Sequence, residues 1–184
     1  MISITYIPVE DLVIPNWRAT YLLRPELMII SSSLAEYGFI QPIHVRKETL
    51  EVIDGSERVK LALAVEQIRA TTNGVIPVVF HDVDRFDAMM LHLRLNRGRS
   101  NLVAMRTSEI IQTLDRCGKF SYNDFRKLLA MRDEELSVML DGSLIKVRKI
   151  KEHNYARAWV PIEAAPGSVE KDKAVIESPP NPDR

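Results

Sequence analysis

The stretch GFIQPIHVRKETLEVIDGSERVK, residues 38–60, decides the fold of this chain. Gly38 follows a run with helical apolar spacing and is typical of the residue just past a helix end. The β-branched runs PIHVRK and LEVID, joined by Glu48 and Thr49, predict a hairpin or two adjacent strands. Gly55 then separates the second of these strands from a segment with helical spacing. The stretch therefore predicts two strands enclosed between two helices.

The flanking sequence extends this pattern in both directions. An alternating run opens the chain, and the nearly all-apolar run VIPVVFHDV predicts a strand buried on both faces. Asp84 is placed to cap a helix, with Asp87 at its third position. The order β-α-β-β-α-β-α predicts an α+β domain with a mixed sheet over residues 1–103. Its helices are predicted at residues 25–37, 57–68 and 84–95.

Residues 104–157 show helical patterns only. Thr107 can cap a first helix that stops at Gly118, and Ser121 with Asp124 forms a capping-box start for a second. Asp133 opens a third helix, which a basic stretch follows. Three short helices with tight turns resemble a helix-turn-helix arrangement. Residues 158–184 are proline-rich and predict a flexible tail.

Composition and charge exclude several classes of protein. The net charge is zero, yet residues 85–132 carry 10 Lys or Arg against 4 Asp or Glu, which fits either a polyanion-binding surface or solvated helix faces. Cys117 is the single cysteine, so we expect no intramolecular disulfide, and no Cys/His cluster has zinc-ligand spacing. The N-terminal residues lack a basic segment followed by a long apolar stretch, and no apolar run has membrane-spanning length. We therefore expect a cytoplasmic protein without a membrane partner.

Two segments have the chemistry of an anion site. Gly55 allows close backbone approach at a helix N-terminus, whose free N–H groups suit a phosphate, and Arg58 adds a charged donor one turn later. Glu57 and Lys60 have the spacing of an ordinary surface ion pair. The run NRGRSN, residues 96–101, is either a second anion-binding element or a basic helix end that complements the helix dipole.

These segments resemble the motifs of the ParB/sulfiredoxin superfamily, in order and in spacing. The run GFIQPIHVR is similar to the family's helix-ending glycine followed by a Q-P pair, and DGSERVKLALA occupies the place of its G-E-R-R-x-R-A segment. LNRGRSNL stands where the family has E-N-x-x-R-E-D-L. The resemblance covers residues 1–103 strongly and the later helices weakly. It indicates a ParB-like nucleotide-binding domain of the ParB/RepB type, in a compact plasmid- or phage-type member.

The resemblance also implies roles for individual residues. Gln41 would contact the base or sugar of a nucleoside triphosphate, CTP or ATP, with Mg²⁺ left open. The residues implied to hold its phosphates are Gly55, Ser56, Arg58, Asn96 and Arg99.

The sequence departs from the family pattern where acids are expected. Leu95 and the pair Ser100-Asn101 replace carboxylates that can help to hold a metal ion, so we expect weak or absent nucleotide turnover. Ser56 replaces the reactive cysteine of the sulfiredoxin branch, and a hydroxyl cannot do that thiolate chemistry. Glu57 is the one carboxylate placed to compensate, either as a metal ligand or as a complement to the helix N-terminus.

The leading hypothesis is therefore a ParB-like DNA-binding protein with a nucleotide pocket, acting in DNA partition, plasmid or phage maintenance, or transcriptional regulation. The alternative is a nuclease or nucleotide-hydrolysing enzyme that uses the same pocket, with Glu57 as its catalytic candidate. The acidic start of the third helix favours weakly selective DNA binding. Monomer and homodimer remain open. The residues expected to contact DNA are Arg94, Arg97, Arg106, Arg126, Lys127, Lys146, Arg148 and Lys149.

Overall fold

The computed structural model describes residues 3–99 and 102–142. A short strand leads through a 3-10 turn, Val9–Asp11, and an irregular segment into the first helix. The strands are β1 (Thr5–Pro8), β2 (Ile43–Arg46), β3 (Val52–Asp54) and β4 (Val75–His81). The helices are α1 (Arg24–Tyr37), α2 (Ser56–Ala64), α3 (Glu66–Thr72), α4 (Arg85–Arg97), α5 (Ala104–Arg116), α6 (Tyr122–Leu129) and α7 (Asp133–Asp141).

The four strands form one mixed sheet in the order β1-β4-β2-β3. β4 pairs antiparallel with β1 and parallel with β2, while β2 and β3 form the predicted antiparallel hairpin. The interior strand β4 is the nearly all-apolar run, and its residues 76–79 are buried. The predicted α+β class with a mixed sheet is confirmed.

Two apolar cores lie against this sheet. The first joins α1, α2 and α3 to side chains such as Ile43 and Val78. The second joins α4 to α5, α6 and α7, with Ile53, Phe125 and Leu136 among its fully buried members. The helices after residue 103 are thus tied to α4 by shared packing. The helix-turn-helix interpretation and the boundary at residue 103 remain predictions.

The prediction of a single helix over residues 57–68 is wrong, because the helix is interrupted at Val65. This residue has extended backbone angles (φ −106°, ψ 110°) and separates α2 from α3. Val59 and Ile68 would face opposite sides of one straight helix, since nine residues make two and a half turns. The break brings both side chains into the first core, where each is fully buried. Arg69 Nη2 donates to the Leu63 carbonyl over 2.7 Å and satisfies the end of α2.

The predicted cap at Thr107 is also wrong, because α5 begins one turn earlier. The Val103 N–H donates to the Ala19 carbonyl over 2.9 Å, which fixes where the chain enters the helix. Thr107 is buried inside α5, and its hydroxyl donates to the Val103 carbonyl over 3.1 Å. The predicted caps at Asp84 and Ser121 are confirmed. The predicted basic stretch after α7 and the proline-rich tail lie outside the described residues.

Candidate functional site

The site is built around the turn between β3 and α2. Gly55 has φ +98°, in the left-handed region that favours glycine. A Cβ at this position would lie 2.6 Å from Ile43 Cδ1 and 2.9 Å from Arg58 Nη2. No side chain caps the N-terminus of α2. The turn therefore leaves the first-turn N–H groups of a nine-residue helix available to an anion.

Arg58 lies one turn into α2 and folds back over the glycine. Its Nη1 donates to the backbone carbonyl of Gln41 over 2.5 Å, which ties α2 to the start of β2. Burial lowers the pKa of Arg58, and so does the nearby charge of Arg99. The carboxylate of Asp54 offsets only part of this decrease. The backbone carbonyl of Gln41 accepts from Arg58, whereas its side chain is exposed. The contact with a base or sugar would therefore be made by the side-chain amide, and it remains a prediction.

Asn96 and Arg99 reach the same turn from the end of α4. Asn96 is buried, and its Nδ2 donates to Asp54 Oδ1 over 3.2 Å and to the His92 carbonyl over 2.9 Å. Arg99 Nη2 donates to Asp54 Oδ2 over 3.3 Å, and its Nε donates to the Leu95 carbonyl over 2.8 Å. Two segments that are distant in sequence thus meet at the carboxylate of Asp54.

These groups line one cavity of about 340 Å³, which we call the anion cavity. All the residues predicted to hold a nucleotide line it, with Glu57, Asp54 and an apolar wall that includes Leu22 and Ile30. The two motif segments, which the resemblance assigns to the phosphates of one nucleotide, thus line one cavity in the structure. Their role in binding a phosphate remains a prediction.

Glu57 is held by two cations. Its Oε1 pairs with Arg18 and accepts from Lys60 Nζ over 3.0 Å, the spacing of the predicted surface pair. Burial would raise the pKa of Glu57, but the hydrogen bonds from Lys60 and Arg18 lower it overall. The carboxylate is thus ionised and already neutralised by two partners.

Sequence reasoning missed Asp54, Arg18 and a set of histidines. Asp54 stands directly before Gly55 inside the decisive stretch, so a carboxylate between two anion-binding segments could have been noticed. Arg18 lies 39 residues from Glu57, and no local pattern joins the two.

Three histidines lie close to the site without lining the anion cavity. His92 is buried, with Nδ1 donating to the Ile53 carbonyl over 2.7 Å and Nε2 accepting from the Ala19 N–H over 3.1 Å. Burial lowers its pKa, which keeps the imidazole neutral. His44 and His81 face each other on β2 and β4, with 2.8 Å between Nδ1 and Nε2. Burial lowers the pKa of both rings.

The residues predicted to contact DNA fall into three groups. Arg97 forms a bidentate pair with Glu135, at 2.6 and 2.7 Å, while Arg106 pairs with Glu109 and Arg126 with Asp133. Arg94 and Lys127 are exposed. Lys146, Arg148 and Lys149 lie outside the described residues.

Residues 3–99 and 102–142 contain neither a cluster of metal-ligating side chains nor a helix suited to cross a membrane. In these ranges, no group of three or more His, Cys, Asp or Glu side chains is placed to hold a metal ion. None of the helices described there is both long enough and apolar enough to cross a membrane.

The chain is similar to a curated protein and to several solved structures. No family model matches the chain. The chain is 28% identical over 139 residues to the uncharacterized protein YbdM of Escherichia coli (strain K12). The match covers 73% of this chain and 65% of YbdM, so it spans less than two thirds of that protein.

Three of the similar solved structures are of ParB proteins. One is C-terminally truncated ParB from Caulobacter crescentus complexed with CTP-gamma-S (18% identity, TM-score 0.45, covering 79% of this chain and 89% of that one). Another is a Pnob8-like ParB-N domain (17% identity, TM-score 0.48, covering 69% and 50%). The third is truncated Caulobacter crescentus ParB complexed to the centromeric parS site (14% identity, TM-score 0.48, covering 74% and 70%).

Proposed function

We propose that this chain is a ParB-like DNA-binding protein whose anion cavity holds a nucleoside triphosphate. In this proposal it acts in DNA partition, plasmid or phage maintenance, or transcriptional regulation. The observation that carries the proposal is the convergence of Arg58, Asn96 and Arg99 on the uncapped N-terminus of α2. The proposed partners are DNA and a second copy of the chain, with which it would form a homodimer. The proposed location is the cytoplasm.

The cavity has the donors that a polyphosphate needs. Backbone N–H groups at a helix N-terminus favour negative charge, and guanidinium groups bind phosphate oxygens through paired N–H donors. Arg58 is largely buried while Arg99 is half exposed, so one donor is fixed and the other can adjust to a ligand. A volume of about 340 Å³ lies within the usual range of small-molecule sites.

The rest of the cavity suits a nucleoside better than a bare phosphate. Leu22 and Ile30 give it an apolar wall, and the exposed amide of Gln41 lies at its rim. In the proposal, CTP or ATP places its phosphates on Arg58, Asn96 and Arg99 and its base near Gln41. Gly55 and Ser56 complete the phosphate site with their backbone. Mg²⁺, where it takes part, would neutralise the phosphate oxygens of the ligand.

The alternative of a nuclease or nucleotide-hydrolysing enzyme depends on Glu57. Phosphoryl transfer needs a metal or another cation at the transferring group and a positioned nucleophile. Glu57 is already bound to Arg18 and Lys60, so its carboxylate is not available for a metal without breaking those contacts. We therefore propose binding with weak or absent turnover. Hydrolysis that Glu57→Gln abolishes, with binding retained, would establish the enzyme instead.

The proposal is tested by calorimetric titration of the full chain with CTP, ATP and GTP, each with and without Mg²⁺. We expect one nucleoside triphosphate to bind, and Arg99→Ala to weaken its affinity by roughly tenfold, the loss of one charged hydrogen-bond donor. Arg85→Ala is the matched control, because Arg85 is exposed at the opposite end of α4. The proposal fails if none of the three nucleotides binds, or if both variants weaken binding equally.

A further inference from the structure

The side-chain donors assigned to the phosphates all face one carboxylate of the protein itself. Asp54 accepts from Asn96 Nδ2 through Oδ1 over 3.2 Å, and from Arg99 Nη2 through Oδ2 over 3.3 Å. Arg58 Nη2 lies 4.0 Å from the same Oδ2. A carboxylate and a phosphate present similar paired oxygens to guanidinium groups. Asp54 therefore stands where an anionic ligand would be bound.

Asp54 is fixed in this place, while one of its partners is not. It is the last residue of β3, its side chain is 14% exposed, and the strand pairs it with His44 of β2. The Arg99 side chain is 51% exposed and extends from the end of α4. An arriving ligand can thus take Arg99 from Asp54, but it cannot push Asp54 out of the cavity.

The carboxylate also has an electrostatic task in the free protein. Arg58 and Arg99 both face Asp54, and two guanidinium groups this close repel each other. Asp54 lies between them and compensates for that repulsion. A bound phosphate would supply the same compensation, and Asp54 would then repel the ligand.

We propose that Asp54 is a built-in competitor that occupies the donors of the anion cavity and lowers its affinity for anionic ligands. The inference rests on the proposed nucleotide-binding function and concerns the regulation of that same site. In the free protein Asp54 neutralises Arg58 and Arg99. On binding, the ligand phosphates replace Asp54 as the partner of Arg99. The carboxylate stays in the cavity, repels the phosphates and so lowers the affinity.

The variant Asp54→Asn tests the proposal, since it keeps the size of the side chain and removes its charge. Full-length wild-type and variant proteins are titrated with inorganic pyrophosphate and with CTP and ATP, without metal. We expect Asp54→Asn to bind pyrophosphate and nucleotide at least about tenfold more tightly, as expected for removing one charge a few ångströms from an anion. Asp115→Asn is the matched control, because that exposed aspartate lies at the end of α5. Thermal unfolding of both variants checks that they are folded.

A double-mutant cycle with Arg99→Ala locates the effect. If Asp54 acts by holding Arg99, the gain from Asp54→Asn shrinks when Arg99 is absent. An equal gain in both backgrounds would overturn the proposal, as would weaker binding by Asp54→Asn, which would make Asp54 a residue that positions the arginines.

The outcomes for the two proposals separate. Nucleotide binding by wild type with an unchanged affinity in Asp54→Asn overturns the competitor role and leaves the proposed function in place. If the Asp54→Asn variant binds pyrophosphate and the wild-type protein binds neither pyrophosphate nor nucleotide, the competitor role is supported. The same result contradicts nucleotide binding by the natural protein. If neither protein binds any of these anions, both proposals are wrong.

Discussion

Arginines serve different purposes in two regions of the molecule. In the anion cavity, Arg58 and Arg99 share the single carboxylate of Asp54, so positive charge exceeds negative charge there. In the helical segment, which we define as α5 to α7, Arg126 has Asp133 as its own partner, and Arg97 at the end of α4 pairs with Glu135 of α7. Shared partners leave charge available to a ligand, whereas one-to-one pairs hold helices together. A basic stretch in a sequence therefore has no single meaning.

The largest effect is expected from the core of the helical segment and not from its ion pairs. Phe125 of α6 is fully buried in the second core, together with Leu129 and Leu136. Phe125→Ala should lower the free energy of unfolding by about 3–5 kcal/mol, through lost burial and the cavity left behind. Chemical denaturation measures the loss, and Leu128→Ala, at a more exposed position of α6, is the control. A loss below about 1 kcal/mol would mean that ion pairs and not packing hold this segment.

The next effect belongs to the turn of the anion cavity. Gly55→Ala adds a Cβ at φ +98° and brings it within 2.6 Å of Ile43 Cδ1. We expect a loss of about 1–3 kcal/mol in the free energy of unfolding, and a loss of nucleotide affinity because Arg58 is displaced. Gly98→Ala is the control, since a Cβ there meets nothing within 4 Å and the backbone is right-handed. Equal effects of the two substitutions would show that the cavity does not depend on this close approach.

How far the sequence alone could lead is shown by these same residues. The motif resemblance assigns Gly55, Arg58, Asn96 and Arg99 to the phosphates of one nucleotide, and this assignment implies that the four residues meet. Asp54 could have been added to this set, since it adjoins Gly55. The contact of Arg18 with Glu57 depends on the path of the irregular segment before α1, which forms isolated bridges to Glu51 and Leu102. No local pattern encodes that path.

Helix boundaries show where local rules lose to tertiary packing. Helical propensity continues through Val65, yet burying both Val59 and Ile68 requires a break there. Threonine is preferred over valine at the N-cap position, so residue type favours Thr107 over Val103. The backbone hydrogen bond from Val103 to Ala19 nevertheless fixes the first turn of α5. In both places a long-range requirement decides between alternatives that are locally similar.

Acid should destabilise the part of the molecule that carries the histidines, which lie on β2, β4 and α4. Burial lowers the pKa of His92, His44 and His81, so the unfolded chain binds protons that the folded chain does not. Stability should therefore fall as the pH drops from 7 towards 5, through the unfolded pKa near 6.5, by at most about 1.4 kcal/mol per pH unit for each group. Residues 104–142 contain no histidine.

Denaturation at several pH values measures this slope, and His92→Gln isolates one histidine. The variant should lose stability at pH 7, because Ala19 and Ile53 lose a fitted partner, and should show a shallower pH dependence. An unchanged slope would assign the pH dependence to His44 and His81. Carboxylates with lowered pKa values, such as Glu57 and Glu135, contribute only below the range of the histidines, since their stabilisation is lost as the pH falls through their own pKa values.

A smaller effect separates two neighbouring arginines of the basic stretch. Arg97→Ala removes the bidentate pair with Glu135 and should cost about 1 kcal/mol or less of unfolding free energy, because the pair is partly exposed. Its nucleotide affinity should match wild type. Arg99→Ala should leave stability nearly unchanged and weaken nucleotide binding. If the two variants exchange these phenotypes, the assignment of shared and one-to-one partners to function and to structure is wrong.

The smallest effect concerns DNA, and it asks whether the helical segment keeps any charge for phosphates. Arg126 is paired with Asp133, whereas Lys127, beside it on α6, is exposed. Each phosphate contact that is lost should reduce the slope of log affinity against log salt by about 0.9, so Lys127→Ala should flatten the slope by up to this amount. Arg126→Ala should flatten it less, because a contact with DNA would first require Arg126 to leave Asp133. Lys47→Ala, on the exposed turn after β2, should leave the slope unchanged. Titration of labelled duplex DNA at several salt concentrations measures all three slopes. If Lys127→Ala and Lys47→Ala have the slope of wild type, this face of α6 does not contact DNA, and the DNA-binding surface must be sought elsewhere on the chain.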